Sequence, residues 1–201
     1  MSISAWFAEI LRTELSGIIE ISDSQIERLF AHYELLRLWN RRLNLTTVID
    51  MPLAVYRHYC ESLFVAAHIT GRTVVDIGSG AGFPGIPLGI VRPEWAVTLV
   101  EAHQRKAVFL REATRDLPNV DVIAGRAEGL PSRYDWKVSR AVHPGVVSKL
   151  SCAPRFAILM SSADLTVAHY AKLLPLPWGR RRILAIGPTH RAGGCFTWNE
   201  I

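Results

Sequence analysis

Residues 73–85 read TVVDIGSGAGFPG, and this stretch decides the fold class. Its first part, Thr73–Ile77, is a short apolar run rich in β-branched residues, which is typical of a buried strand. The second part has glycines at positions 78, 80, 82 and 85. Glycines directly after a strand allow a sharp turn and let a ligand approach the backbone closely. The stretch therefore predicts a strand followed by a ligand-binding turn.

Strands and helices alternate after this turn. Residues 96–101 predict a second strand, and residues 104–116 predict an amphipathic helix. Further strands are predicted at 120–124, 136–139, 156–160 and 182–186. This alternation indicates βαβ units, and hence an α/β fold whose mostly parallel sheet has helices on both faces.

The residues before the sheet predict a small helical cap. Trp6, Phe7, Ile10 and Leu11 indicate a first amphipathic helix. Apolar residues recur with helical spacing from Ile26 to Trp39 in a second helix, and a third is predicted over Val55–Ile69. Residues 22–25 (SDSQ) offer N-cap candidates for the second helix, and among them Ser24 has the spacing of a capping box with Glu27. We expect residues 1–70 to belong to the same unit as the α/β domain over residues 71–201.

Composition narrows the class of protein. The chain has 201 residues, 49% hydrophobic and 20% charged, which excludes a disordered chain. The N-terminus lacks a basic region and contains Glu9, so we expect no signal peptide, and no apolar run is long enough for a membrane span. The three cysteines form no CxxC pair, so we expect a reducing cytoplasm, no disulfide framework and no metal site.

The charge balance suits an anionic partner. The net charge is +5, and arginines far outnumber lysines among the 23 basic residues. Guanidinium groups bind phosphate through two parallel hydrogen bonds and stack on bases, so this bias favours nucleic acid. A coding bias of the source genome explains it equally well.

A carboxylate after the second strand indicates an adenosine-containing cofactor. Glu101 ends this strand, where it can accept hydrogen bonds from ribose hydroxyls. Residues 80–85 also satisfy GxGxxG about 20 residues before Glu101, as an NAD-dependent dehydrogenase requires. The first glycine of an NAD fingerprint should directly follow the strand. Here Gly78 does so, whereas the GxGxxG match begins two residues later, at Gly80.

Two further features disfavour a dinucleotide. Pro84 lies where the helix N-terminus should offer free N–H groups to a pyrophosphate. Asp76 would repel a pyrophosphate but attract a cationic amino-acid end, such as that of S-adenosylmethionine.

Residues 76–88, DIGSGAGFPGIPL, resemble the cofactor loop of the bacterial small-subunit ribosomal RNA guanine-7-methyltransferases, the RsmG or GidB family. Other segments agree in order: residues 39–46 (WNRRLNLT), 57–62 (RHYCES), 105–110 (RKAVFL), 125–128 (GRAE) and 139–141 (SRA). The resemblance covers about residues 29–142. It implies a Rossmann-like fold of S-adenosylmethionine-dependent methyltransferases with a small N-terminal helical cap.

The resemblance also implies roles for individual residues. With the carboxylates already noted, the expected cofactor-binding set is Asp76, Gly78, Gly80, Phe83, Glu101, Ala127, Glu128 and Arg140. Within this set, the resemblance implies that Ala127 and Glu128 hold the adenine end of the cofactor. The expected catalytic residues are Arg140 and Asn44, and the expected RNA-binding residues are Arg41, Arg42, His58 and Arg126. Simpler alternatives stay open: helix packing for His58, capping of a turn for Asn44, and surface ion pairs for Arg126 and Arg140.

The implied reaction is methyl transfer from S-adenosylmethionine to nitrogen 7 of a guanine in 16S ribosomal RNA. The implied partner is small-subunit RNA or a ribosomal particle, with the enzyme acting as a monomer, without membrane or metal. One departure is Met160-Ser161-Ser162, where the family carries a Lys-Gly pair. Three alternatives remain: a methyltransferase for a small molecule or protein, an NAD-dependent dehydrogenase, and a catalytically impaired RNA-binding relative.

Overall fold

A seven-stranded sheet occupies the centre of the computed structural model, which describes residues 2–163 and 172–188. The strands are β1 (Thr73–Ile77), β2 (Ala96–Glu101), β3 (Val120–Ala124), β4 (Trp136–Arg140), β5 (Arg155–Ser161), β6 (Lys172–Pro175) and β7 (Arg182–Pro188). Their order is β3-β2-β1-β4-β5-β7-β6, with β7 antiparallel to both of its neighbours and the other pairs parallel. The predicted α/β fold with a mostly parallel sheet is confirmed.

Six α-helices flank this sheet within the described ranges. They are α1 (Ile3–Glu14), α2 (Asp23–Leu43), α3 (Glu61–His68), α4 (Gly85–Val91), α5 (Gln104–Ala113) and α6 (Pro144–Lys149). A π-helical turn at Val55–Cys60 leads directly into α3, so the third predicted helix is confirmed with one irregular turn.

The capping box of α2 lies two residues before the predicted one. The Ser22 hydroxyl accepts a hydrogen bond from the Gln25 main-chain N–H (3.3 Å), and the Gln25 side chain accepts one from the Ser22 N–H (3.0 Å). The expectation for Ser24 and Glu27 is therefore wrong. Glutamine completes the box as well as glutamate does, and this register starts the helix earlier.

The strand order places a ligand crevice between β1 and β4. The order runs outward in opposite directions from this pair, and ligands of open α/β sheets bind beyond the carboxyl ends of the strands at such a point. A dinucleotide-binding sheet has the order 3-2-1-4-5-6. The antiparallel β7 between β5 and β6 departs from that order.

The two faces of the sheet are covered unequally. One continuous apolar cluster joins residues of α1, α2 and α3 with α4, α5 and one face of the sheet, from Phe7 to Leu184. The other face is covered by α6 and irregular segments, with Val147 and Tyr134 in a smaller cluster. Helices thus lie on both faces as predicted, and the cap shares its core with the sheet.

The cap is also fixed to the sheet domain by polar contacts. The Gln25 side chain donates to the carbonyl of Val91 at the end of α4 (3.2 Å). Trp178, in the turn between β6 and β7, donates from Nε1 to Glu14 Oε2 (2.8 Å). Both contacts join the first two helices to the domain that carries the ligand crevice.

Three expectations from the sequence concern cysteines, membrane spans and metal sites. Cys60 and Cys152 are free and buried, whereas Cys195 lies outside the described residues. None of the described helices is long and apolar enough to cross a membrane. Within the same ranges, no group of three or more His, Cys, Asp or Glu side chains is arranged to hold a metal ion.

Candidate functional site

The turn after β1 folds back onto the end of β2. The main-chain N–H groups of Gly78 and Ser79 both donate to the Val100 carbonyl, at 2.9 and 3.1 Å. Gly78 has φ +70°, and a Cβ added to it would lie 2.5 Å from Cγ2 of Val142, which follows β4. Glycine is therefore required here, because the turns after β1 and β4 meet at this point.

Glu101 holds the turn in shape from the end of β2. Its Oε2 accepts a hydrogen bond from the Gly80 N–H (2.9 Å), and its Oε1 accepts one from the His103 N–H (2.8 Å). Each carboxylate oxygen has a second lone pair, so Glu101 can still accept hydrogen bonds from two hydroxyls. The nearest atom to a Cβ added at Gly80 is 3.8 Å away, so the turn is open on that side.

Asp76 places a fully buried carboxyl beneath the turn. Its Oδ2 accepts a hydrogen bond from the Gly85 N–H (3.0 Å), while its buried Oδ1 has no hydrogen-bond partner among the described residues. Burial raises the pKa of Asp76 to about 7, against the opposing effect of the Gly85 hydrogen bond. A buried carboxyl oxygen without a donor is suited to a cationic ligand.

Arg140 lies at the end of β4 on the other side of the crevice. Its Nη1 donates to the Arg57 carbonyl and to His58 Nδ1, each at 2.8 Å. Its guanidinium carbon lies 4.8 Å from the centre of the Phe83 ring. Burial lowers the pKa of Arg140 to about 10, so the side chain is still a cation at neutral pH. The ion-pair alternative for Arg140 receives no support from its direct contacts.

His58 connects Arg140 to the segment that follows α2. Because Nδ1 accepts from Arg140, the ring proton is on Nε2, which donates to the Val48 carbonyl (2.8 Å). Burial, and secondly the charge of Arg140, lower the pKa of His58 to about 3, so the ring is neutral. The imidazole is 4% exposed, which favours the packing alternative; its predicted RNA contact stays a prediction.

Phe83 takes part in an aromatic cluster below the turn. Its ring stacks on His58 with centroids 4.7 Å apart and meets Tyr59 edge-on at 5.2 Å. Phe83 is almost completely buried. The predicted contact between Phe83 and the cofactor stays a prediction.

The predicted adenine-side residues follow β3 at the same edge of the sheet. The Gly125 N–H donates to the Glu101 main-chain carbonyl (3.0 Å), which brings the segment before Ala127 next to the carboxylate that holds the turn. Ala127 is half-buried and Glu128 is exposed. Glu128 also lines a surface groove of about 530 Å³ together with His143.

The predicted RNA-binding arginines and the predicted catalytic residue Asn44 lie in two places. Arg41, Arg42 and Asn44 are exposed at the end of α2, whereas Arg126 is exposed after β3. Asn44 adopts φ +46°, and its N–H donates to the Asn40 carbonyl (3.3 Å). Asn44 therefore caps the C-terminus of α2, in agreement with the alternative that it caps a turn. Its side chain is nevertheless free to reach solvent, and its catalytic role stays a prediction.

Glu61 is a site residue that the sequence reasoning missed. It is fully buried, and its two oxygens accept hydrogen bonds from Nε and Nη2 of Arg182 at 3.1 and 2.7 Å. Nη1 of Arg57 lies 3.5 Å from the same carboxylate. Arg57 and Glu61 are four residues apart, which is the helical spacing that brings two side chains together, so the sequence did contain a signal for the Arg57–Glu61 pair. No local signal indicated Arg182, which is 121 residues away.

His32 is a second missed residue, and it joins the cap to the glycine-rich turn. Its Nε2 lies 3.2 Å from the Ala81 carbonyl, and its Nδ1 lies 3.1 Å from the Tyr59 hydroxyl. Burial lowers the pKa of His32 to about 4, so the ring is neutral. A histidine on the apolar stripe of α2 was the only signal in the sequence.

Solved structures with low sequence identity to this chain share its fold. A crystal structure titled as a SAM dependent methyltransferase from Aquifex aeolicus superposes with a TM-score of 0.55 at 17% identity, over 79% of this chain and 98% of that chain. The fibrillarin/Nop5p complex gives 0.51 at 13% identity, over 67% of this chain and 82% of that chain. These likenesses confirm the predicted Rossmann-like methyltransferase fold.

Sequence relatives agree with the resemblance. A protein of Nitrosomonas europaea named Ribosomal RNA small subunit methyltransferase G is 48% identical over 118 residues, 57% of this chain and 55% of that protein. The protein of that name from Neisseria meningitidis is 38% identical over 138 residues, 66% of this chain and 67% of that protein. The chain thus spans between about half and two thirds of the length of these curated relatives. The GidB family model, described as rRNA small subunit methyltransferase G, matches residues 25–156, well over half of the 201 residues, and the chain therefore belongs to this family.

Proposed function

We propose that this chain transfers a methyl group from S-adenosylmethionine to nitrogen 7 of a guanine in small-subunit (16S) ribosomal RNA. The observation that carries the proposal is the buried, unpartnered Oδ1 of Asp76 beneath an open glycine turn. This arrangement lies at the point where ligands bind in open α/β sheets. Family membership supports both the cofactor and the class of RNA.

The residues present fit S-adenosylmethionine better than a dinucleotide. The amine and the sulfonium of this cofactor are both positive, and Asp76 offers them a carboxyl oxygen that has no donor among the described residues. Glu101 keeps lone pairs for the ribose hydroxyls, and Glu128 is exposed at the adenine side. A pyrophosphate would instead lie close to two buried carboxyl groups, which disfavours the dehydrogenase alternative.

The proposed chemistry needs alignment rather than proton transfer. When bound, S-adenosylmethionine supplies a methyl group on a sulfonium that a lone pair can attack directly. Guanine nitrogen 7 carries such a lone pair and no proton, so the protein needs no general base. Its tasks are to orient the base and to exclude water.

Arg140 is the residue best placed to orient the base. Both hydrogen bonds that it makes to described residues use Nη1, so Nη2 and Nε remain available for oxygen 6 of guanine or for a phosphate. His58 and the Arg57 carbonyl hold the guanidinium from behind. We assign His58 to positioning Arg140, with its RNA contact made indirectly.

The proposed partner is small-subunit RNA, either naked or in a ribosomal particle. A net charge of +5 supports binding to a polyanion, and Arg41, Arg42 and Arg126 present exposed guanidinium groups. The proposal includes action as a monomer in the cytoplasm, where this RNA is found.

Two measurements test the proposed function. The first is a calorimetric titration of the chain with S-adenosylmethionine. The second is transfer of a tritiated methyl group to small-subunit RNA and to the assembled particle. Absence of cofactor binding contradicts every methyltransferase interpretation. Binding without transfer to either RNA substrate favours a different methyl acceptor or a catalytically impaired relative.

Cofactor affinity is expected to rise with pH because of Asp76. Its pKa of about 7 leaves the carboxyl mostly protonated at pH 6 and mostly ionised at pH 8. A cationic ligand prefers the ionised form, so the association constant should increase about tenfold over this range, with release of a proton near pH 6. Calorimetry in two buffers of different ionisation enthalpy measures both quantities.

Asp76→Asn is the control for this pH dependence. The asparagine oxygen can still accept the Gly85 hydrogen bond, but the side chain does not titrate. The variant should bind more weakly and with an affinity independent of pH. An unchanged pH profile in the variant would assign the titration to another group.

Replacement of Arg140 by alanine should impair transfer more than folding. We expect the methyl-transfer rate to fall about 100-fold, because loss of the orienting group misplaces the base. The unpaired Arg57 carbonyl should cost about 1–3 kcal/mol of unfolding free energy. Single-turnover transfer and urea denaturation measure the two effects.

Arg155→Ala is a matched control, since Arg155 lies over the Trp136 ring (4.4 Å) where β4 and β5 begin, at the opposite edge of the sheet. Its transfer rate should stay within about twofold. If Arg140→Ala unfolds the protein, Arg140 has a structural role and the orienting role is not supported.

A further inference from the structure

The turn that joins β6 to β7 carries three consecutive arginines. Arg180 and Arg181 are exposed, whereas the Arg182 side chain is 24% exposed and binds Glu61. Arg182 is the first residue of β7 and pairs with Ser161, the last residue of β5. Because β7 is antiparallel to β5, this turn lies at the carboxyl edge of the sheet, where the candidate site is.

Contacts with the cap hold this turn on both sides. Before the arginines, Trp178 donates to Glu14 (2.8 Å) and meets the Phe64 ring edge-on at 6.0 Å. After them, Arg182 makes its two hydrogen bonds to Glu61. A turn fixed in this way presents its two exposed side chains from a rigid backbone, which reduces the entropy lost on binding.

The turn adds to a local excess of positive charge. Nη1 of Arg57 lies beside Gly179, 3.4 Å from where a Cβ would be, and the Arg57 carbonyl accepts the hydrogen bond from Arg140. Among the described residues, Glu61 is the only carboxylate that forms an ion pair with an arginine of this group, whereas Glu14 accepts a hydrogen bond from Trp178 and the charge of Asp76 acts on Arg140. The group contains five arginines: Arg57, Arg140, Arg180, Arg181 and Arg182.

The turn also lies beside the end of β5. The Ser162 N–H donates to the Arg181 main-chain carbonyl (2.8 Å), so the arginines are next to Met160-Ser161-Ser162. This segment has no cation of its own, and the neighbouring turn provides two.

We propose that Arg180 and Arg181 bind phosphates of the RNA backbone beside the target guanine. The inference rests on the proposed RNA substrate and specifies which surface holds it. Guanidinium groups suit this task because they bind phosphate oxygens in pairs and carry their charge at every physiological pH.

The test compares two double variants that remove the same charge. Arg180→Ala/Arg181→Ala removes the proposed contacts, and Arg111→Ala/Arg115→Ala removes two exposed arginines, one in the last turn of α5 and one two residues after the helix ends. The dissociation constant for a small-subunit ribosomal RNA transcript is measured from about 0.05 to 0.2 M salt. Each lost phosphate contact should lower the slope of log K against log salt by about 0.7–0.9.

We expect the slope of the Arg180/Arg181 variant to fall by about 1.5 and its affinity to fall at least tenfold, with calorimetric S-adenosylmethionine binding unchanged. The α5 variant should keep the slope of the unaltered chain. Equal slopes in the two variants overturn the inference, as does an unaltered chain with no affinity for the transcript.

Arg180→Lys/Arg181→Lys keeps the test decisive if the alanine variant does not fold. It should keep the salt slope and bind less tightly, since lysine retains the charge without the paired geometry. A lysine variant that has lost the slope while binding S-adenosylmethionine normally overturns the inference. Failure of the proposed function is seen separately, as absent cofactor binding or absent methyl transfer in the unaltered chain.

Discussion

Gly78→Arg is expected to abolish S-adenosylmethionine binding. The backbone at Gly78 has φ +70°, a conformation that costs a residue with a Cβ about 1–2 kcal/mol. The new Cβ would also lie 2.5 Å from Val142 Cγ2, so one of the two turns that form the crevice must move. The arginine side chain would also occupy the space through which the ligand approaches. Because the strain, the clash and the blocked space act together, we expect the affinity for S-adenosylmethionine to fall at least about 1,000-fold, roughly 4 kcal/mol.

Gly17→Arg separates the effect of the site from the effect of the backbone. Gly17 has φ +73°, and a Cβ added there would meet no atom within 4 Å. This variant carries the same strain and the same added charge in the turn between α1 and α2, so its calorimetric affinity should match that of the unaltered chain. Equal loss of affinity in both variants, or undiminished binding by Gly78→Arg, would place the cofactor elsewhere.

Glu61→Ala is expected to cause the largest loss of stability. Glu61 is completely buried, and its removal would leave Arg182 three-quarters buried without its carboxylate. Removing one partner of a buried ion pair costs about 3–5 kcal/mol, because the remaining charge is neither solvated nor paired. Urea denaturation should show this as a lower midpoint with little change in slope.

The matching control is Glu34→Gln, at an exposed ion pair with Arg37 (3.8 Å). Surface pairs of this kind contribute about 0–1 kcal/mol, so its midpoint should hardly move. Comparable stability of Glu61→Ala and the unaltered chain would mean that water replaces the carboxylate around the arginines, and that Glu61 is not needed to hold β7 against the cap.

The sequence was most informative where structure depends on neighbouring residues. Alternating apolar runs and glycines located β1 and its turn, and β2 (Ala96–Glu101) and β3 (Val120–Ala124) have the predicted bounds. The turn chemistry of residues 78–85 follows from positive φ angles and close approach, both of which glycine signals directly. These are local properties, and so they can be predicted from the chain alone.

The contacts around the site depend on residues far apart in the chain, and sequence reasoning missed them. Glu61 and Arg182 are 121 residues apart, and an arginine on a polar turn gives no sign of its partner. Histidine is a residue type that often reacts or binds RNA, yet packing buries the side chain of His58. The strand β6 (Lys172–Pro175) was missed because four largely exposed residues show no alternating pattern.

The hydrogen bond between His32 and the Ala81 carbonyl connects the cap directly to the glycine-rich turn. It joins α2 of the cap to the turn that would carry the cofactor. The other ring nitrogen of His32 is hydrogen-bonded to the Tyr59 hydroxyl. An RNA that shifts α2 on docking therefore acts on the cofactor turn through this contact. Linkage then requires reciprocity: the factor by which RNA changes the affinity for the cofactor equals the factor by which the cofactor changes the affinity for RNA.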